Sequence, residues 1–182
     1  MNAIVGRLEE EIKSQVPHLL SQADLALEEG DLGKALDLLA DASQIRPDDP
    51  TIGDRHAKLH RRRQVEEQLD TLERDAASKL ATNSLVDAVK AWEEGLRILV
   101  GLEDLPQDAR KILQQLLSLR GAENGLALGY EERWQEARKL EYQLAVEMSP
   151  HWAVKRAIRI IDQWMPAARE SALQGVIASA VQ

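Results

Sequence analysis

The stretch Ala26–Pro50, ALEEGDLGKALDLLADASQIRPDDP, contains two helical patterns separated by Gly30 and Asp31. Glycine tolerates the left-handed conformation that ends many helices, and aspartate is a favourable N-cap for the helix that follows. After this cap, apolar residues recur at spacings of three and four, at Leu32, Ala35, Leu36, Leu39 and Ala42. The stretch therefore predicts a tight hairpin of two antiparallel helices.

Helical patterns of this kind follow one another along the whole chain. Strong helix formers dominate the sequence, and runs of β-branched residues are missing. Asp49 is expected to cap a long third helix that ends near Ala81, Pro17 to bend or restart the first helix, and Pro166 to begin the last one. The sequence predicts an all-α fold of seven to eight antiparallel helices, in one domain over residues 1–182.

The composition indicates a soluble globular chain whose core is mostly aliphatic. Apolar residues make up 44% of the 182 positions and charged residues 30%, whereas phenylalanine is absent. The four tryptophans are the largest candidates for the core. Trp92 and Trp164 are in register with apolar stripes, and Trp134 shares a helix face with Ala137. We therefore expect these three indoles to be buried.

Charge and residue content argue against several classes of function. The net charge of −8 disfavours nucleic-acid binding, which needs a dense basic surface. The chain has no cysteine, no glycine-rich phosphate loop and no assembled nucleophile–base motif, so neither catalysis nor a cofactor is predicted. His56 and His60 have a spacing that can hold a metal, but no third ligand is evident and adjacent cations oppose a metal site. No signal peptide or membrane span is evident, and we expect a cytoplasmic location.

Residues 16–49 resemble one unit of the tetratricopeptide repeat family, a helix–turn–helix of 34 residues. With Pro47 placed at the late proline of the repeat, the family's small and large apolar positions are filled by Ala23, Ala35, Ala42, Leu19 and Leu39. Alanine lets two helix backbones approach closely, and a larger side chain fills the neighbouring gap. The resemblance implies a short right-handed solenoid of stacked hairpins.

The repeats that follow are degenerate. Ala57 keeps the period of 34 residues from Ala23, and Ala88, Trp92 and Gly95 match a second helix if the first helix of that unit is extended. The family resemblance implies a non-catalytic scaffold or adaptor that binds a peptide or helix of a partner protein. This chain is also compatible with one module of a larger protein.

One subtype of the family grips chaperone carboxyl termini with lysine and asparagine side chains on its first helices. The equivalent positions of the first repeat are Leu20 and Asp24 in this chain. Leucine cannot hold a carboxylate, and aspartate repels one. The resemblance therefore does not extend to chaperone-tail binding.

A basic run from Asp54 to Arg63, DRHAKLHRRR, is the first of two candidate binding surfaces. Its candidate partner-binding side chains are those of Arg55, Lys58 and Arg62, which could form a patch for a phosphate, an acidic protein or nucleic acid. The alternative is a solvated helix flank whose charge is balanced by nearby acids: Glu66, Glu67 and Asp70. The negative net charge favours this alternative.

Trp152 is the centre of the second candidate surface. It shares a helix face with Arg156 and Arg159, and tryptophan beside arginine is enriched at protein-binding hot spots. The alternative is a half-buried indole on which an arginine stacks.

The last pattern, residues 166–182, is apolar and carries hardly any charge. A helix of this kind must dock on something. The alternatives are that it caps the solenoid, docks on a second copy or continues into a longer parent chain. Self-assembly into a homo-oligomer is therefore the main alternative to a scaffold for another protein. Binding of an anion or of nucleic acid through Arg55–Arg63 ranks below both.

Overall fold

The computed structural model describes residues 2–121, 130–147 and 151–180. Over these residues the chain forms seven helices and no strand. The helices are α1 (Asn2–Glu28), α2 (Leu32–Ile45), α3 (Pro50–Ala81), α4 (Leu85–Val100), α5 (Gln107–Gly121), α6 (Tyr130–Glu147) and α7 (Trp152–Ala180). The prediction of an all-α fold is confirmed.

One of the expected helix boundaries is wrong, since α7 continues through Pro166 and this proline does not begin a new helix. Helix α1 likewise continues through Pro17, which excludes the restart that was one of the two alternatives there. An interior proline removes one backbone hydrogen bond at a cost of roughly 3 kcal/mol. Both prolines are exposed, and the apolar face of α7 stays buried on either side of Pro166, at Trp164 and Ala168. Packing of this face outweighs the local preference of proline for a helix start.

The chain divides into two compact units, Met1–Glu67 and Gln68–Gln182. Helix α3 runs through the boundary, so its first part belongs to one unit and its second part to the other. The sequence predicts one domain over residues 1–182, and this stays a prediction.

The hairpin in the first unit turns as the sequence predicts. Gly30 has a φ of +82°, a conformation that glycine adopts without steric cost. The amide of Asp31 donates to the carbonyl of Ala26 at 2.8 Å, and the Asp31 side chain accepts from the amide of Lys34 at 2.9 Å. These bonds satisfy backbone groups that the two helix ends would leave unpaired.

Small residues line the contact between α1 and α2. Ala23, Ala35 and Ala42 are fully buried, and Leu39 is 1% exposed, so the two helices pack closely. The start of α3 joins this core through Ile52. The two alanines that were matched to the second, degenerate repeat differ in burial. Ala88 is buried, whereas Ala57 is exposed.

The second unit is built around α4 and α7, with the later part of α3 against both. A Cβ atom placed on Gly95 of α4 would lie 3.4 Å from Ile160 of α7 and 3.4 Å from Leu69 of α3, so glycine marks a close approach of three helices. Three tryptophans are buried in this unit: Trp92 (2% exposed), Trp134 (8%) and Trp164 (1%). The prediction that these indoles are core residues is confirmed. Helices α5 and α6 complete the unit.

Candidate functional site

A groove lies between α6 and α7 in the second unit. It has a volume of about 860 Å³. We call it the α6–α7 groove, and its lining includes Trp134, Arg138, Glu141, Tyr142, Ala145, Ile158, Asp162, Met165, Pro166, Arg169, Glu170 and Leu173. A cavity of this size and mixed lining is in the range of ligand and peptide sites.

The apolar part of the groove has a buried floor and an exposed rim. Trp134 and Met165 are buried, and the Trp134 ring packs on Trp164 at a centroid distance of 6.4 Å. At the rim, Tyr142 is 70% exposed and Leu173 is 39% exposed. Large apolar side chains left in water beside a depression are typical of protein-interaction surfaces.

A pair of carboxyl groups faces across the groove, Glu141 from α6 and Asp162 from α7. Burial raises the pKa of Glu141 above its ordinary value of 4.5, and a hydrogen bond with Asp162 and the Asp162 charge raise it further. The charge of Arg138 lowers the same pKa but does not outweigh these effects. Two carboxyl groups so close together repel each other when both are ionised.

The second predicted surface, around Trp152, is partly used inside the fold. Arg156 donates to Asp70 and, at 3.1 Å, to Glu73, and Arg159 lies 3.2 Å from the same Glu73 oxygen. Glu73 is buried and Arg156 is nearly so, whereas Arg159 is largely exposed. The structure therefore brings the two arginines together as a bridge from α7 to α3.

Trp152 itself lies at the start of α7. Its ring stacks on that of His151, with centroids 6.1 Å apart, and the indole is half-buried. His151 Nδ1 accepts a hydrogen bond of 3.2 Å from the amide of Ala153. His151 and Trp152 thus help to shape the helix start. The half-burial of the indole agrees with one part of the alternative interpretation, whereas the stacked ring is that of His151.

In the basic run, several arginines form ion pairs within the first unit. Arg55 pairs with Asp24 of α1, and Arg62 donates to Glu66 at 2.8 Å one turn along α3. Arg63 pairs with Glu67 in the same way, while Lys58 is exposed. This arrangement agrees with a charge-balanced helix flank. Asp24, the residue that argues against chaperone-tail binding, is the partner of Arg55 in one of these pairs.

The two histidines of the run contact each other edge-on. The rings of His56 and His60 are 5.8 Å apart in an edge-on arrangement. Among the described residues, no group of three or more histidine, aspartate or glutamate side chains is placed to hold a metal ion.

The sequence does not predict the α6–α7 groove. Glu141 and Asp162 belong to different helices, and neither has a motif or spacing that marks it. Exposed Tyr142 and Val146 interrupt the polar face of α6, and this mismatch is a signal that the sequence offers. A single exposed aromatic residue is, however, too common to identify a site.

Over the part of the chain that the structure describes, no helix combines the length and apolarity needed to cross a membrane. Comparisons with protein-family models, with curated proteins and with solved structures found no match.

Proposed function

We propose that this chain is a non-catalytic scaffold or adaptor whose α6–α7 groove binds a peptide or helix of a partner protein. The observation that carries the proposal is the combination of a buried aromatic floor with an exposed apolar rim at Tyr142 and Leu173. Binding a partner there would remove the rim from water, and aromatic side chains at a groove are frequent anchors of protein interfaces.

The α1–α2 hairpin gives independent support. Its buried alanines and its Gly30–Asp31 turn are the features on which the resemblance to tetratricopeptide repeats rests. A short solenoid of this type, with further degenerate hairpins, is the architecture that we propose for the chain. Proteins built in this way commonly present surfaces to other proteins.

Site-directed photo-crosslinking tests the proposal. A benzophenone amino acid replaces Tyr142 in the full chain, and a matched copy carries it at Val86, which is 47% exposed on α4 outside the groove. A protein that crosslinks at position 142 only is then purified and its affinity is measured. We expect Tyr142→Glu to weaken this binding by at least about tenfold and Val86→Glu to leave it unchanged, because only the first charge would be buried by the partner. Equal effects of the two variants would contradict the proposal.

Self-assembly is the second candidate, because Tyr142, Val146 and Leu173 are exposed large apolar residues on two neighbouring helices. A second copy of the chain could cover them. Light scattering tests this candidate directly, since a strict monomer at tens of micromolar would exclude it. Binding of anions or nucleic acid through Arg55, Lys58 and Arg62 is less well supported, given the ion pairs of this run, and a lack of binding at low salt would exclude it.

A further inference from the structure

We propose that the partner segment in the α6–α7 groove is an amphipathic helix that places a lysine or arginine against Glu141 and Asp162. This inference rests on the proposed function and specifies the chemistry of the partner. It concerns a partner protein and not a second copy of this chain.

The first argument is the charge balance of the groove. Three carboxylates line it, from Glu141, Asp162 and Glu170, against the two guanidinium groups of Arg138 and Arg169. Glu170 also accepts a hydrogen bond from Gln174 at 3.1 Å, one turn along the rim. The lining therefore carries one carboxylate more than it has guanidinium groups, and Glu141 and Asp162 lie within hydrogen-bonding reach of each other, so a cation from outside would be most stabilising beside this pair.

The second argument comes from the backbone of α7. In a helix the amide of residue 166 would donate to the carbonyl of residue 162, but Pro166 has no amide hydrogen. The Asp162 carbonyl is thus without its helical donor, and both Asp162 and Pro166 line the groove. The groove therefore presents two carboxyl groups beside a turn of α7 that lacks one backbone donor. An ammonium or guanidinium group, which carries several donors and no acceptor, matches the two carboxyl groups.

The third argument concerns the shape of the occupant. The groove lies between two packed helices, and the side-chain rows of a third helix can fit into such a depression. Its apolar rim, at Tyr142 and Leu173, flanks the carboxyl pair. A helix with one apolar face and a central cation would meet both features, which is the usual mode of helix-in-groove recognition.

A second copy of the chain matches the groove less well. The densest basic stretch of the sequence is Asp54–Arg63, and its Arg55, Arg62 and Arg63 already pair with carboxylates of their own unit. Inserting one of these three arginines into the groove of another copy would first require breaking such a pair. Lys58 and Arg61 of the same stretch are exposed, but Leu59 is the one large apolar side chain between Asp54 and Arg63, so the stretch lacks the apolar face that the groove would cover. The observations therefore favour a cationic helix supplied by another protein.

Displayed peptide libraries provide the test. Three libraries of amphipathic helices of about 20 residues, roughly 30 Å long, share the same randomised apolar positions and differ at one central position, fixed as lysine, glutamine or glutamate. Each is selected against the full chain, and the affinities of the recovered peptides are measured. We expect lysine peptides to bind about tenfold more tightly than their glutamine counterparts, and glutamate peptides to bind least. Added salt should reduce this preference.

Matched variants test whether the Glu141–Asp162 pair causes the preference for a lysine peptide. Glu141→Gln combined with Asp162→Asn should abolish the preference for lysine while retaining binding through the apolar face. The control, Asp37→Asn combined with Asp41→Asn, makes the same change of charge at exposed sites on α2 and should leave the preference intact. Circular dichroism of each variant verifies that it is folded.

The outcomes separate this inference from the proposed function. Binding that is lost with Tyr142→Glu but shows no preference at the central position would overturn the cationic partner and leave the scaffold function standing. Absence of binding from all three libraries, together with no crosslink at position 142, would overturn both. A dimer that Tyr142→Glu dissociates would identify a second copy as the occupant, and would also overturn the inference.

Discussion

Trp164 Nε1 donates a hydrogen bond of 3.2 Å to Glu93 Oε1, and both side chains are buried between α7 and α4. A buried carboxylate is costly unless hydrogen bonds or charges compensate it. Arg97 contributes from the same helix as Glu93, at 3.8 Å. The indole of Trp164 thus has two roles, since it fills the core and also satisfies an acid that the core contains.

Replacing Trp164 by phenylalanine tests the second of these roles. The variant removes the donor to Glu93 and some volume, so we expect the free energy of unfolding to fall. The matched control is Trp92→Phe, because Trp92 is equally buried and its Nε1 has no hydrogen-bond partner among the described residues. Urea unfolding followed by circular dichroism should show a loss about 1–3 kcal/mol larger for Trp164→Phe. Similar losses would show that the hydrogen bond adds little.

The turn at Gly30 gives a prediction about the first unit. Gly30→Ala places a Cβ on a residue with a φ of +82°, and we expect a loss of about 1 kcal/mol of stability. Apart from Gly30 and the residues on either side of it, no described residue comes within 4 Å of the added Cβ, so the cost is conformational and not steric crowding. Gly30→Asn is the control, since asparagine tolerates this conformation better, and it should lose less. Thermal unfolding monitored by far-ultraviolet circular dichroism measures both.

The bridge between α7 and α3 gives a third prediction. Arg156→Met keeps an apolar stem but removes the donors to Asp70 and Glu73, leaving buried Glu73 with one fewer partner. We expect a loss of about 1–3 kcal/mol in the free energy of unfolding. Arg159→Met removes an exposed partner of the same carboxylate and should cost about 0–1 kcal/mol. A larger loss of unfolding free energy for Arg159→Met than for Arg156→Met would show that the exposed arginine, and not the nearly buried one, contributes more to stability.

The raised pKa of Glu141 predicts how stability depends on pH. Because the native state holds the Glu141 proton more strongly than the unfolded chain, the free energy of unfolding falls as pH rises from the ordinary value of 4.5 through the raised native value. The penalty remains at neutral pH and vanishes below 4.5. Glu141→Gln should therefore be more stable than the parent at pH 7 and lose this advantage in acid.

Asp162→Asn is the companion variant for the same measurement. It removes the neighbouring charge that raises the Glu141 pKa, so it should show a gain of the same sign at neutral pH. Urea unfolding at a series of pH values measures both variants. An advantage that stays constant across pH would show that the carboxyl pair is not its cause.

The parts of the fold that could be predicted depend on short-range chemistry. The cap at Asp31, the turn at Gly30 and the apolar stripes that contain Trp92 and Trp164 are all encoded within a few residues of one another. The continuation of α7 through Pro166 could not be predicted, because its cause is packing against other helices. Local preference favours a break at proline, and tertiary contacts outweigh it.

The candidate site was beyond prediction for a similar reason. The Glu141–Asp162 pair forms only when α6 and α7 come together, and no sequence spacing relates the two residues. The sequence places Arg156 and Arg159 on one helix face with Trp152, but the acidic partners of these arginines lie on α3, far away in the sequence. Sequence patterns locate helix faces, whereas which faces meet is decided by the whole fold.

The division of the chain at residue 67 has an optical consequence. The earliest tryptophan or tyrosine in the sequence is Trp92, so every strong near-ultraviolet chromophore belongs to the second unit. Intrinsic fluorescence therefore reports the unfolding of Gln68–Gln182 alone, while far-ultraviolet circular dichroism records helix loss in both units. Comparing the two signals in one denaturation experiment distinguishes a single cooperative transition from two separate ones, without attaching any dye.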